Sequence, residues 1–214
     1  MEGIRLFGTK SLVKEVTEGL DELPKLPTDY TSELITKDNP IQECHSDRDS
    51  LLVAQHLKQS LEGLIRYLFR NDPGLKIRWT NAYFPFTSPS WEMEVFYNGN
   101  WLEILGCGIM QQEILNSHGT SDKMGWAFGL GLERIAMVLF DIPDIRLFWS
   151  TDPRFLDQFK EGQFTKFVPF SKFPVCYKDI SFWCPVEFHE NDFTEIVRTV
   201  AGDLVEKVEL VLII

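Results

Sequence analysis

The chain has no CxxC pair, no long apolar run and no excess of basic residues, and each absence removes a class of function. Its four cysteines, Cys44, Cys107, Cys176 and Cys184, are scattered. That spacing suits reduced, mostly buried thiols better than a disulfide framework or a zinc site. The histidines at 45, 56, 118 and 189 do not fall at metal-ligand spacing either. No apolar stretch approaches the roughly 20 residues that span a bilayer, so no membrane partner is expected. The opening MEGIRLFGTK has neither the apolar core of a signal peptide nor the Arg- and Ser-rich pattern of a transit peptide. Lys and Arg number 21 against 32 Asp and Glu, a formal net charge of −11. Non-specific nucleic-acid binding needs a local excess of cations, so any such role must rest on a local patch or on further chain.

What is present is ample apolar material: 44% hydrophobic residues, seventeen Phe and six Trp in 214 positions. That is one good-sized domain, or one domain plus part of another. Residues 3–7 read as a short strand. Residues 8–50 turn to Pro, Thr, Ser and acidic residues with little periodicity, and read as a loop or insertion. From Ser46 the pattern is helical to about Phe69, with Leu51, Leu52, Gln55, Leu61, Leu64, Ile65 and Leu68 on its apolar face and Ser46 or Asp47 as cap.

Residues 75–110 read as three antiparallel strands, with Asn98-Gly99-Asn100 as a hairpin turn. Period-two alternation places Glu92, Glu94 and Phe96 on one face, and Trp101, Glu103 and Leu105 on one face of the partner strand. Carboxylates among aromatics on a sheet face are costly unless they meet a cation, a metal, an amine or solvent. Glu103 is the sharper candidate, because Gly106 and Gly108 keep the adjoining surface open. Phe84-Pro85-Phe86 is either plain core or one wall of an aromatic pocket.

A short helix comes next over 110–117, then Gly125-Trp126-Ala127-Phe128-Gly129-Leu130-Gly131, a small-residue strand that runs into a helix ending near Asp141. The glycines either open the backbone to a ligand or serve strand–helix packing. Arg134, in the first turns of that helix, suits either a phosphate or a structural ion pair. Asp152 is a candidate cap for a further helix. A boundary falls near 160–168. Beyond it Pro174–Trp183 and Asp203–Ile214 read as strands flanking a helix with Phe193, Ile196, Val197 and Val200 on one face. Fifty such residues are too few to bury a core alone.

Taken in order, Phe84-Pro85-Phe86-Thr87 with Pro89-Ser90 and Glu92, then Trp101 to Gly106, Gly125 to Arg134 and Asp144-Ile145-Arg146 resemble the phenylalanyl-tRNA synthetases. The likeness is to the alpha-type catalytic chain, most closely its single-chain mitochondrial form. The tail, with Ser171-Lys172-Phe173-Pro174, Asp179 to Trp183 and Asp192-Phe193, resembles the start of that family's ferredoxin-like anticodon-binding domain. The resemblance covers residues 1–7 and 47–209, while 8–46 match nothing in it.

The resemblance implies an α+β fold: a class II antiparallel sheet flanked by helices over 1–160, interrupted by the 8–46 loop, then half a ferredoxin-like domain over 168–214. It implies ATP-dependent activation of phenylalanine and its transfer to tRNA(Phe), with ATP and Mg2+ as cofactors. Phe84 and Phe86 would stack edge-on against the substrate ring. Ala127 would set the pocket floor, Gly106, Phe128 and Gly129 would line the same cleft, and Glu2 would meet the substrate amine. Arg134 and Glu103 would be the catalytic pair, Arg134 and Gly131 on the ATP phosphates and Glu103 on the ATP and its magnesium. It further implies a monomer in the mitochondrial matrix, with the cytoplasm as alternative. The family's first motif and its ATP-gripping arginine would precede residue 1, and the second half of the anticodon domain would come after about residue 210. The chain is therefore expected to be incomplete at both ends and inactive alone. Two other readings stand beside this one: a non-catalytic paralogue or isoform that keeps a binding role, and a class II-like ligase of another aromatic or cyclic substrate.

Overall fold

The computed structural model describes residues 1–23, 36–70, 72, 74–169, 176–185, 187–205 and 207–211. Five strands form one antiparallel sheet in the order β1-β5-β4-β3-β2. They are β1 Glu2–Gly8, β2 Ile77–Phe84, β3 Thr87–Tyr97, β4 Asn100–Met110 and β5 Lys123–Leu130. Asn98 and Gly99 both take positive φ, +48° and +84°. A two-residue hairpin loop asks for that conformation at both positions, which is why the Asn-Gly signal found the turn.

One sheet face is covered by α2, Asp47–Leu68, whose first turn is capped by the Ser46 hydroxyl accepting from the Asp49 amide at 3.1 Å. The helix buries Val53, Ala54, Leu57, Leu61 and Ile65, and the sheet buries Trp91, Met93, Val95, Ile104 and Ile109. The buried stripe also takes in His56, Lys58 and Glu62, whereas Leu51 is exposed. The apolar face expected from the sequence is therefore rotated. Lys58 lies between the rings of Trp79 and Trp91, 5.0 and 4.5 Å from their centroids, and burial lowers its pKa to about 8. Glu62 accepts from Trp79 Nε1 at 3.2 Å and from Arg66 Nε at 2.8 Å. His56 Nδ1 accepts from Trp126 Nε1 at 3.2 Å, its ring meets Phe7 edge-on, and burial lowers its pKa to about 4.

Residues 12–22 are not loop. They form α1, Leu12–Glu22, which turns Leu12, Val16 and Gly19 inward and packs on α2. Gly19 is needed there, because a Cβ would come within 2.6 Å of His56 Nε2. The short helix is α3, Gln112–Ser117, and the helix carrying Arg134 is α4, Leu132–Phe140. The cysteine expectation holds in part: all four are free thiols, but only Cys107 is buried, and Cys44, Cys176 and Cys184 are exposed.

The alternation along β4 breaks at Ile104. Met93 pairs with Leu105 and the next residue, Glu94, pairs with Glu103, so Ile104 is an extra residue in β4. Such a bulge reverses the sidedness of the residues beyond it. Leu105 therefore joins the buried face at 1% exposure, and does not share a face with Glu103 as simple alternation predicts.

The chain divides into two compact units, Met1–Ile135 and Ala136–Ile214. The second holds a 3-10 turn over Ile145–Trp149, α5 Pro153–Leu156 and α6 Glu190–Ala201. Asp152 caps α5 by accepting from the Arg154 amide at 2.8 Å. Phe140 meets Phe159 and Phe164, and Phe155 meets Phe159 and Phe167, in one ring cluster. The two strands expected here are not formed: residues 176–183 and 207–211 carry no ladder. An extended segment needs a partner for its N–H and C=O groups, and among the described residues neither segment has one. Positions 174–175, 206 and 212–214 of those expectations lie outside the described residues. The expected helix is present as α6, with Phe182 stacked on its Phe193 at 5.0 Å.

Candidate active site

The face of the sheet away from α2 is the open one. Strand register lays Glu2, Gly129, Gly106 and Glu92 side by side across β1, β5, β4 and β3. Three interstrand steps separate the backbones of Glu2 and Glu92 by roughly 14 Å. Between the two acids lie only glycines. A Cβ on Gly106 would stand 2.6 Å from Phe84 Cζ, so the Phe84 ring roofs that position. Above Gly129 there is nothing within 4 Å. The rings of Phe84 and Phe86 stack on each other, 5.8 Å apart at 11°, with Phe86 about half exposed.

The next row along the sheet is Ile4, Ala127, Gly108 and Ser90. A Cβ at Gly108 would stand 2.6 Å from Thr87 Cβ, so this glycine too is covered. The expectation that Gly106 and Gly108 keep the surface open is thus corrected: a ring and a threonine fill those positions, and the free space is at Gly129. Phe128 is a second correction. Its register partner is Gly3 and its ring covers that glycine, on the α2 side with Trp126. Strand alternation prevents adjacent Phe128 and Gly129 from lining one cleft.

On the other side of the glycines the carboxylates gather. Glu94 and Glu103 are register partners on the open face, and Glu92 is two residues from Glu94. Arg78 pairs with Glu94 and lies 4.4 Å from the Trp101 ring centroid. Arg134 Nη1 lies 3.0 Å from Glu103 Oε2 and donates to the Glu103 carbonyl at 2.9 Å. The bulge at Ile104 accounts for this placement. It turns two successive carbonyls toward the start of α4, where the Gly131 amide donates to the Ile104 carbonyl at 2.9 Å. With its N–H so engaged, Gly131 contributes the strand-to-helix turn that aims Arg134.

The Glu92 carboxylate has no hydrogen-bond or ion-pair partner among the described residues. Burial, then the neighbouring Glu103 and Glu94 charges, push its carboxyl above the usual range, and Arg134 opposes them. A carboxylate raised by like charges is relieved by a cation. Glu92 was weighed with its face in the sequence but not singled out. The signal that could have found it is the pairing of Glu92-x-Glu94 with Glu103 across a hairpin whose turn fixes the register. Glu2, Phe84, Phe86, Gly106, Ala127 and Gly129 therefore meet at one end of this face, and Glu103, Arg134 and Gly131 at the other.

Residues 46–159 match the family described as tRNA synthetases class II core domain (F). Over 99% of its length the chain is 52% identical to a mitochondrial phenylalanine–tRNA ligase of Mus musculus, of which it covers 46%. It is 56% identical over 78% of its length to a chloroplastic/mitochondrial phenylalanine–tRNA ligase of Arabidopsis thaliana, covering 38% of that protein. A mitochondrial phenylalanine–tRNA ligase of Saccharomyces cerevisiae is 48% identical over 87% of the chain and 44% covered. The chain thus spans a little under half the length of these relatives. A five-stranded antiparallel sheet with flanking helices, and a family match over more than half of the residues, place this α+β chain among the class II tRNA synthetases.

Proposed function

We propose that this chain carries the phenylalanine pocket, and one wall of the ATP site, of a phenylalanine–tRNA ligase. The observation that carries the reading is the open space over Gly129, which has Glu2 and Gly106 as register neighbours, Ala127 two residues away on the same face, and the stacked Phe84 and Phe86 rings beginning over Gly106. An aromatic amino acid suits it: rings at one end for an aromatic side chain, an acid at the other for an ammonium group.

Class II tRNA synthetases use ATP and Mg2+ in general. The substrate carboxylate attacks the α-phosphorus, a P–O bond forms, and pyrophosphate leaves, so no protein nucleophile is required. The protein's part is positioning and charge neutralisation. Glu2 would hold the ammonium group, Ala127 would limit pocket depth, and Arg134 would meet phosphate. Among the described residues only its Nη1 is engaged, which leaves other donors of the guanidinium for an anion. Glu103 and Glu92 offer hard oxygen donors, and no group of three or more His, Cys, Asp or Glu could hold a metal among the described residues. Two carboxylates fit a magnesium ion that arrives with phosphate oxygens and supplies charge neutralisation there. The phenylalanyl group would then pass to tRNA(Phe), in translation in the mitochondrial matrix, with the chain acting as a monomer. Residues 168–214 would belong to an anticodon-binding domain and 1–160 to the catalytic one.

The test is calorimetric titration of the 214-residue chain with phenylalanine, tyrosine and leucine, alongside phenylalanine-dependent ATP–pyrophosphate exchange. Phenylalanine should bind, with tyrosine about a hundredfold weaker. Ala127→Gly should admit 4-chlorophenylalanine. Binding without exchange would leave the recognition role and remove the ligase chemistry from this chain. Equal binding of all three amino acids would end the phenylalanine reading.

A further inference from the structure

The segment just before α2 precedes the family match that begins at residue 46, yet it lies within the 99% of the chain that matches the Mus musculus ligase, against the expectation that residues 8–46 match nothing; it grips the turn that bears the two pocket phenylalanines. Asn39 is 4% exposed and takes both main-chain groups of Ser90: Nδ2 donates to the Ser90 carbonyl at 2.7 Å and Oδ1 accepts from its amide at 2.8 Å. Gln42 spans three points. Its Nε2 donates to the carbonyls of Ser88 at 2.8 Å and Met110 at 3.0 Å, and its Oε1 accepts from the Gln112 amide at 2.8 Å. The Ser88 hydroxyl donates back to the Pro40 carbonyl at 2.8 Å.

These bonds fall where the sheet cannot supply its own. The β3–β4 register shifts between Thr87 and Ser90, and the β2–β3 register between Ala82 and Phe84. Irregular pairing on both sides leaves the Phe84–Ser90 turn short of ladder partners, and side-chain amides take their place. The Phe86 carbonyl accepts from the Gln111 amide at 2.9 Å, one residue from the Gln112 amide that Gln42 holds. Moving Gln42 would therefore loosen the main chain on either side of Phe86.

We propose that Asn39 and Gln42 are positioning residues for aromatic amino-acid recognition: their amides fix the turn that sets Phe84 and Phe86 over the glycine floor. This rests on the phenylalanine reading of the pocket. Neither residue touches the vacancy over Gly129; each acts through the backbone of residues 86–90. A fully satisfied buried polar network rigidifies what it joins, and removing one member leaves carbonyls unpaired.

The test uses two near-isosteric changes in the full 214-residue chain. Gln42→Glu keeps the acceptor toward Gln112 and removes both donors; Gln42→Met removes all three bonds without adding charge. Each should weaken phenylalanine binding by calorimetry about tenfold and narrow the discrimination against tyrosine. ATP binding should stay within about twofold. Amide exchange of residues 86–90 should quicken at least tenfold while residues 102–105 of β4 exchange as before. Parallel losses for phenylalanine and ATP would make the latch a general structural brace and overturn the proposal. So would phenylalanine affinity within twofold of the unsubstituted chain, whatever the exchange. Failure of the unsubstituted chain to bind phenylalanine would instead overturn the reading on which the proposal rests.

Discussion

The two faces of the one sheet use the same residue types to opposite ends. On the α2 side Lys58, Glu62 and His56 are buried and each meets a partner: Lys58 between two indole rings, Glu62 on Trp79 and Arg66, and His56 Nδ1 on Trp126. On the open side Glu92, Glu94 and Glu103 crowd together with Arg78 and Arg134 half exposed at their edges, and the Glu92 carboxylate is left without a partner among the described residues. Buried charge must be satisfied internally, whereas charge held beside a vacancy can wait for a ligand. Sidedness therefore separates the groups that hold the fold from those available for chemistry.

The most direct challenge to that contrast is to truncate neighbours on β3. Trp91 is fully buried, and Trp91→Ala should cost about 3–5 kcal/mol in denaturant unfolding. Glu92, one residue on, faces the other way, and Glu92→Ala should change stability by no more than about 0.5 kcal/mol. It should weaken ATP·Mg2+ binding instead. Comparable losses of stability at both positions would show that the open face is part of the core.

A second test asks whether the buried side depends on charge state. His56 titrates near 4 in the fold against 6.5 when unfolded. Between those values the unfolded chain carries the proton and the folded one does not, so stability rises with pH across the window and is lost as pH falls from 6.5 toward 4. The gap corresponds to roughly 3 kcal/mol. His56→Asn, whose Oδ1 can accept from Trp126 Nε1, should lack this contribution. The difference in unfolding free energy between the two chains should shrink or reverse by about that amount from pH 6.5 to 4 and level off below. A difference flat with pH would mean that His56 is protonated in the fold.

Much of this was legible in the sequence where a single local rule applies. Asn98-Gly99 fixed the β3–β4 turn, Ser46 the start of α2, and period two the shared face of Glu92 and Glu94. What could not be read was produced by pairing between distant segments. The extra residue at Ile104 shows only in register with β3, and it alone decides that Leu105 and Glu103 part company. The buried stripe of α2 was rotated because His56, Lys58 and Glu62 look like solvent-facing residues until Trp79, Trp91 and Trp126 supply their partners. Helix α1 hid behind a charged surface with few large apolar positions. Residues 176–183 read as a strand from composition, but a strand also requires a neighbour. At the site, the glycines and aromatics were identified together, yet the space they enclose was assigned to Gly106 and Gly108.

That reassignment is open to a paired test. Gly106→Ala drives a methyl into the Phe84 ring, which must shift, at a cost of about 1–3 kcal/mol in stability. Gly129→Ala meets nothing within 4 Å and should leave stability within about 0.5 kcal/mol. Its methyl, however, enters the volume proposed for the substrate, and phenylalanine affinity should fall by about a hundredfold. A well-folded Gly129→Ala chain that binds phenylalanine as before would place the substrate elsewhere on the sheet. The glycine that matters for packing and the one that matters for binding are neighbours in a single row, told apart by what already stands above each.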